Sequence, residues 1–242
     1  MPSDPSMAVD NSLLAGLPRR DWRRLVGHCE PVNLVFGDIL CEPGDRFGHV
    51  HFPLSGFISL IATLDAQQPL EMGLIGREGM LGATLMLGVD TAPMRAVVRG
   101  PGSALRMSRA GFRRELEAST ALRKQLARYL YVLISQLARA AACTHFHQTS
   151  SRLARWLLMT HERAHANHFH LTHVLLADML GVRRSSVSLA AAEMQRGGLI
   201  AYSRGEITIL DRAALERAAC PCYEAERANY ARMFGPGVPR GT

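Results

Sequence analysis

The period of the hydrophobic pattern changes once along this chain, at Arg109, and that change limits the folds open to it. From Val32 to Ser108 the text is a series of short β-rich runs: VNLVF, GDIL, HVHFPLSG, FISLIATL, LEMGLIG, MRAVV and SALRMS. Glycines at 37, 44, 48, 56, 73, 76, 79, 82, 88, 100 and 102 punctuate them. Short runs between turn residues, with no helical period, predict an all-β barrel or roll with tight turns. After Arg109 the period is helical: Phe112, Leu116, Leu122, Leu126, Leu130, Leu133 and Leu137 lie three, four or six residues apart, with Ala140 and Ala141 continuing the stripe. The fold class expected is α+β. A jelly-roll-like β-roll (21–110) follows an N-terminal segment (1–20) and leads into a long helix (111–146), with further helices behind it.

Within the long helix, Leu126, Leu130, Leu133 and Leu137 have the four-three-four spacing of a coiled-coil seam. Such a seam either packs on its own domain or pairs with a second copy. Its length and regularity favour pairing, so these four leucines are expected at a dimer interface, with Arg123, Lys124, Arg128 and Arg139 on a solvated face. His147 to Ser151 ends the helix, and Leu153, Trp156, Leu157 and Leu158 mark a shorter amphipathic helix over 151–161. At the other end of the chain's first module, Asp21 can cap a helix beginning at Trp22.

The stretch His173 to Ile200, HVLLADMLGVRRSSVSLAAAEMQRGGLI, has the form of a helix-turn-helix. Leu176, Leu180, Val182, Val187 and Ala190 fall where two crossing helices bury side chains, and small Ala177 suits a close crossing. Gly181 stands at the turn, where a residue without Cβ takes positive φ at little steric cost. Arg183, Arg184, Ser185, Ser186 and Ser188 then open the second helix with cationic or short donors, residue types that reach phosphates and base edges in a major groove. An ordinary αα-hairpin would not explain two arginines and three serines there. The run AYSRGEITIL offers two short strands around Arg204-Gly205, a β-wing, so 147–214 reads as a winged helix-turn-helix. Asp211 can cap one more helix (213–219) within a C-terminal helix and tail (215–242), whose end, GPGVPRGT, carries no order signal.

Composition agrees without deciding. The formal net charge of +7 favours an anionic partner, here double-stranded DNA. No run approaches the roughly 18 apolar residues of a membrane span, and the start lacks a secretory pattern, so a cytoplasmic location without membrane partners is expected. The five cysteines, Cys29, Cys41, Cys143, Cys220 and Cys222, are odd in number, scattered and without a C-x-x-C pair. Free thiols are the reading preferred for Cys220 and Cys222, although that pair could be redox-active. His145, His147, His161, His165, His168, His170 and His173 concentrate in one region. They read as a solvated polar loop rather than a metal site, because Glu162 is the sole carboxylate woven in. No cofactor and no metal is expected. G-x-S-x-G, P-loop and H-E-x-x-H patterns are absent, HERAH having the wrong spacing, and an enzyme is not expected.

The order of roll, leucine-seamed helix and winged helix-turn-helix resembles the Crp/Fnr superfamily of bacterial transcription regulators. The resemblance runs from about Leu14 to Leu210 and is carried by GDILCEPGD (37–45), FPLSGFISL (52–60), SRLARWLLM (151–159) and LADMLGVRRSSVS (176–188). It implies a cyclic-nucleotide-binding-like roll, a parallel homodimer along the long helix, twofold-symmetric DNA binding, and RNA polymerase as a partner should the protein activate. Cyclic-AMP-binding members carry a Gly-Glu that opens a short helix and an Arg-Ser on the next strand, for the ribose and the phosphate. Here the candidate pocket is Gly82, Ala83, Thr84, Met94, Arg95 and Ala96. Ala83 stands in the place of the Glu, and Met94-Arg95 in the place of Arg-Ser. Alanine cannot accept the ribose hydrogen bond and methionine cannot neutralise a phosphate. Independence from cyclic AMP follows.

In the recognition helix the resemblance implies that Arg184 keeps the first arginine of the family's reading set, while Ser185 replaces its Glu and Leu189 its second Arg. The half-site should therefore differ. Thr172, His173, Ser203 and Arg204 are phosphate-contact candidates. The alternative reading is an effector-gated receptor, in which an unidentified small molecule in the roll, or metal or thiol chemistry, switches DNA binding. Iron–sulfur members carry an N-terminal cysteine cluster, and no cysteine here precedes Cys29.

Overall fold

A computed structural model describes residues 11–63, 69–164 and 166–235. The polar start (1–10), His165 and the last seven residues, on which parts of the sequence reading fall, lie outside the described residues. Two short helices come first, α1 (Ser12–Ala15) and α2 (Arg19–Gly27). Asn11 caps α1, its side chain accepting from Leu14 N at 3.1 Å and donating to the carbonyls of Pro53 and Gly79. α2 starts three residues earlier than expected, behind Pro18. Asp21 is therefore not its cap; it lies in the first turn and accepts from Ser119 Oγ at 2.7 Å.

Each of the β-rich runs holds a strand: β1 (Glu30–Leu34), β2 (Ile39–Cys41), β3 (His49–Pro53), β4 (Phe57–Ala62), β5 (Leu70–Ile75), β6 (Arg95–Gly100) and β7 (Gly102–Ser108). They form two antiparallel sheets, ordered β1-β7-β3 and β2-β6-β4-β5. Val50, Phe52, Ile58, Ala96, Val98, Ala104 and Met107 fill the space between them. A 3-10 helix (Ala83–Leu87) links β5 to β6.

The helical text beyond β7 is two helices, not one: α3 (Arg109–Ala118) and α4 (Thr120–Phe146). Ser119 breaks them with extended backbone, and its hydroxyl accepts from Leu122 N at 3.0 Å as the N-cap of α4. Leu122, Leu126, Tyr129 and Leu130 then bury α4 against the roll.

The rest comprises α5 (Thr149–Ala164), β8 (His168–His170), α6 (His173–Leu180), α7 (Arg184–Arg196), β9 (Ile200–Ser203), β10 (Glu206–Ile209), α8 (Arg212–Ala218) and α9 (Cys222–Phe234). Asp211 caps α8, accepting from Ala214 N at 2.8 Å. Strand β8 joins β10 and β9 in a three-stranded wing ordered β8-β10-β9, so the histidine-rich stretch is not a loop. His161 is buried in α5, bonded to Asn167 and Arg212, while His168 and His170 both reach Glu206. The sequence reading also passed over α9. Among the described residues no helix is long and apolar enough to cross a membrane.

Roll and reader are packed together. Phe57 and Leu74 of the roll belong to the apolar core of the C-terminal helices. Glu71 of β5, half-buried between roll and α5, accepts from Ser59 Oγ at 2.6 Å and from Trp156 Nε1 of α5 at 2.5 Å. Arg163 of α5 pairs with Glu78 at 2.7 Å, both side chains largely covered.

Burial pushes the Glu71 carboxyl up from 4.5 to about 7, against the two hydrogen bonds that favour its charged form. Below 4.5 the carboxyl is protonated both folded and unfolded. Between 4.5 and about 7 the unfolded chain has lost this proton and the folded chain keeps it, so stability falls as pH rises through that window. The whole span is worth on the order of 3 kcal/mol. Glu71→Gln removes the titration at the cost of one donor's acceptor. Urea unfolding should show the variant gaining on the parent by about 1–3 kcal/mol between pH 4.5 and pH 8; parallel pH profiles would refute a buried, titrating Glu71.

Candidate nucleic-acid interface

α6 and α7 cross with Leu176, Leu180, Val187 and Ala190 buried between them and Ala177 at the close approach. Gly181 ends α6 at φ 61, ψ 41, and the Val182 amide returns to Ala177 O at 3.0 Å. This αL cap turns the chain through the angle that α7 needs. A Cβ on Gly181 would stand 2.9 Å from Leu70 Cδ1, so the turn lies on strand β5 of the roll.

Arg183 is the N-cap of α7, and Arg184 and Ser185 open its first turn, all three exposed. Leu189, 62% exposed, continues the same face, followed by Ala192, Glu193 and Arg196, which the sequence reading did not include. Their i, i+4 spacing from Arg184, Ser185 and Ser188 was the available signal. Ser186 and Ser188 are half-buried.

The Ser188 hydroxyl donates to Arg184 O at 3.1 Å, and its oxygen lies 2.9 Å from His173 Nδ1. With the hydroxyl proton used on the carbonyl, Nδ1 carries the ring proton and donates to Ser188. The same ring stacks on Tyr202 of the wing, centroids 4.2 Å apart and planes 12° from parallel. Burial, and then the charge of Arg184, hold the His173 pKa below its ordinary value, so the ring is neutral at pH 7. His173 thus ties α6, α7 and the wing together. A neutral ring offers a phosphate no charge, so the expected phosphate contact there is left to the salt titration below.

Thr172 caps α6 through its side chain, which accepts from Leu175 N at 3.2 Å. Ser203 and Arg204 are exposed at the wing tip, where β9 and β10 meet through the two-residue turn Arg204-Gly205. Both turn residues have positive φ, 51 and 85, the pattern of a tight hairpin turn. Gly205 takes this freely. Arg204 is the one non-glycine with positive φ among the described residues, and it aims a cation away from the body.

The expected effector residues are occupied with structure. Ala83 and Ala96 are buried, and Gly82 has φ 90 with Val50 packed under it. Met94 packs on the roll core, and Arg95 is drawn to Glu42, Nε to Oε2 2.7 Å. The Thr84 hydroxyl is buried without a partner among the described residues. A cavity of about 380 Å³ lies elsewhere, between α4, α5 and α9, lined by Tyr129, Arg163, Tyr223 and Tyr230 among others.

The leucine seam needs correction. Leu126 and Leu130 are buried in the chain's own roll core, Leu133 packs beside them and Leu137 is half-buried. The face α4 leaves open is offset by one residue: Ala127, Tyr131, Ile134, Ala138 and Ala141 are exposed, Ile134 by 62%. Their four-three-four-three spacing is again that of a coiled-coil seam. The leucines were the more conspicuous stripe because the roll requires larger side chains than a close helix pair.

Residues 31–119 match the model of the cyclic nucleotide-binding domain, and residues 151–218 that of the Crp-like helix-turn-helix domain. Among solved structures, the c-di-GMP-responsive global regulator CLP of Xanthomonas campestris aligns at TM-score 0.64 and 17% identity, over 80% of this chain and all (100%) of that one. A CRP/FNR-family transcriptional regulator from Thermus thermophilus aligns at TM-score 0.64 and 23% identity, over 78% and 98% of the two chains. FixK2 from Bradyrhizobium japonicum gives 0.65 and 13%, over 79% and 98%. No curated protein matches the chain.

The two arms of this surface separate in a salt titration of DNA binding. Arg204→Ala should lower the slope of log K against log salt by about one, as one phosphate contact is lost. His173→Ala should weaken binding with the slope unchanged, because a neutral ring releases no counterion. A slope reduced in the His173 variant would restore that residue to the phosphate contacts.

Proposed function

Because the chain belongs to the Crp/Fnr superfamily of DNA-binding transcription regulators, we propose that it works as a cytoplasmic homodimer on a twofold-symmetric operator, without cyclic AMP. The observation that carries this reading is the pair of surfaces left open on one rigid chain. One is the basic first turn of α7 and the wing tip; the other is the apolar stripe of α4. In this reading residues 21–110 form the scaffold roll, 111–146 carry the dimer stripe, 147–214 read DNA, and within 215–242 helix α9 packs back on the long helix.

Each subunit inserts α7 into a major groove, the two insertions about one turn of duplex apart. Arg184 supplies a bidentate contact to guanine N7 and O6, worth about 1–3 kcal/mol of discrimination. Arg183, Ser185 and Thr172 position the helix on the backbone. Leu189 offers an apolar contact of the kind that meets a thymine methyl. Ser188, its hydroxyl engaged by His173 and Arg184, supports the helix from beneath.

Independence from cyclic AMP rests on donors. Ala83 has no acceptor for a ribose hydroxyl, Met94 carries no charge, and Arg95 is paired with Glu42. RNA polymerase is the further partner if the output is activation.

Binding selection on randomised duplexes tests the reading. The parent should return a palindrome with no nucleotide added. Arg184→Ala should flatten preference at one symmetric position by about 1–3 kcal/mol; an unchanged motif would remove Arg184 from base reading.

The dimer has its own test in sedimentation. Ile134→Glu should give monomers with an intact roll. Leu130→Ala should leave the dimer seam in place and destabilise the fold by about 2–5 kcal/mol. The reverse pattern would return the interface to the leucine register.

A further inference from the structure

Cys143, near the end of α4, and His147, its C-cap, are four residues apart and face the turn Cys220-Pro221-Cys222 between α8 and α9. One ligand atom from each of the four lies within 4.8 Å of every other. Cys143 Sγ and Cys220 Sγ are 3.5 Å apart, and Cys222 Sγ is 3.6 Å from His147 Nδ1. The three cysteines are 1%, 4% and 6% exposed. All are free thiols.

From this convergence we propose that the chain binds one Zn²⁺ per subunit through Cys143, His147, Cys220 and Cys222. A tetrahedral zinc with arms of about 2.3 Å to sulfur and 2.0–2.1 Å to nitrogen has ligand–ligand edges of roughly 3.5–3.8 Å. The 3.5 and 3.6 Å separations fall on those edges. Buried cysteines more often act as small apolar fillers, but fillers merge with a core. These three form a buried group apart from both apolar cores of the molecule. Soft thiolates with one imidazole select zinc over magnesium or calcium.

Binding converts three thiols to thiolates, releasing three protons to solvent, with no change of oxidation state. Zinc with three thiolates and a neutral imidazole carries one negative charge, and the Arg155 guanidinium, which also pairs with Glu226, stands beside it with Nη1 4.0 Å from Cys143 Sγ. Four protein ligands leave no open position, so the site is structural. Its place gives it a consequence. The metal joins the end of α4 to the turn after α8, the two points between which the winged module (149–218) leaves and rejoins the body, and so clamps that module at its base. Cys220 N, bonded to Ser151 O at 3.2 Å, already holds the turn against the start of α5.

The test uses the full-length, reduced protein, stripped by chelator and reloaded with Zn²⁺ or Co²⁺. One equivalent of zinc by elemental analysis, a Co²⁺ spectrum of tetrahedral thiolate type, and a melting temperature raised by zinc are expected. Cys143→Ser and Cys222→Ser should each weaken uptake by more than the roughly 10–100-fold that loss of an outer-shell partner costs. Should either fail to fold, His147→Gln, at the half-buried ligand, should fold and still lose the thiolate–imidazole spectrum. Cys29→Ser and Cys41→Ser should bind as the parent does. Absence of stoichiometric zinc in folded, reduced protein, parent-level uptake by the His147 and Cys143 variants, or a sulfide-containing iron cluster in place of zinc would each overturn the assignment. None of these outcomes depends on the DNA-binding reading.

Discussion

The packing of α4 on the roll is the interaction from which the rest of the architecture follows. Leu122, Leu126, Tyr129 and Leu130 give one side of the helix to the roll core, and the Tyr129 hydroxyl reaches Met80 O at 3.3 Å. Fully burying an aliphatic side chain of this size contributes about 1.5–3 kcal/mol, so the rotation of α4 about its axis is strongly set. Once it is set, the opposite side has no choice: Ala127, Tyr131, Ile134, Ala138 and Ala141 point outward. The inner face requires bulk, since a β-roll presents an uneven surface. The outer face carries small residues among two large ones, which suits close approach of a second helix better than a solvated surface.

The same helix settles where the reader sits. Beyond Phe146 the chain turns into α5, and α5 returns to the roll through Trp156, Arg163 and the apolar contacts around Leu74 and Phe57. These are not surface ion pairs of little worth. Glu71 is half-buried and bonded from both domains, and the Arg163 and Glu78 side chains are largely covered. Breaking one partner of such a pair leaves the other buried and unmet, which costs several kcal/mol. The helix-turn-helix therefore has a defined orientation on the roll, with Gly181 against Leu70 and the basic turn of α7 directed outward.

Much of this was legible in the sequence, and the misses have common causes. The strands could be read because glycine at φ-positive turns leaves a local mark, and the helix-turn-helix because its buried positions, its turn glycine and its exposed cations fall in a fixed order. What escaped depends on neighbours distant in sequence. Ser119 looks like any serine within a helical period until Asp21 and the Leu122 amide are placed beside it. Strand β8 reads as a histidine-rich loop because His-Phe-His has no strand pattern of its own; the edge of β10 supplies one. His173 was read by position as a phosphate contact, and its hydrogen bond to Ser188 and its stacking on Tyr202 are long-range. Two stripes of equal period run along α4, and the spacing alone cannot say which one the roll takes; it takes Leu126 and Leu130. Cys143 and His147 had the i, i+4 spacing of a helical ligand pair, yet they lie more than 70 residues from Cys220 and Cys222, and only the docking of α9 against α4 unites them.

These connections also limit how a signal could reach the DNA-binding face. A ligand shifts a conformational equilibrium only by binding the two states unequally. In the roll, Arg95 is paired with Glu42, Nε to Oε2 2.7 Å. What joins roll to reader is instead a short set of bonds: Glu71 with Trp156, Glu78 with Arg163, Leu70 under Gly181. Any event that reorients α7 must rearrange these, and their burial makes the change two-state rather than graded. Glu71 is the member of this set whose charge changes near neutral pH, with burial as the first cause. The contact between Glu71 and Trp156 is thus one of several that hold the reader to the roll, and the one in which desolvation and hydrogen bonding pull the carboxyl in opposite directions.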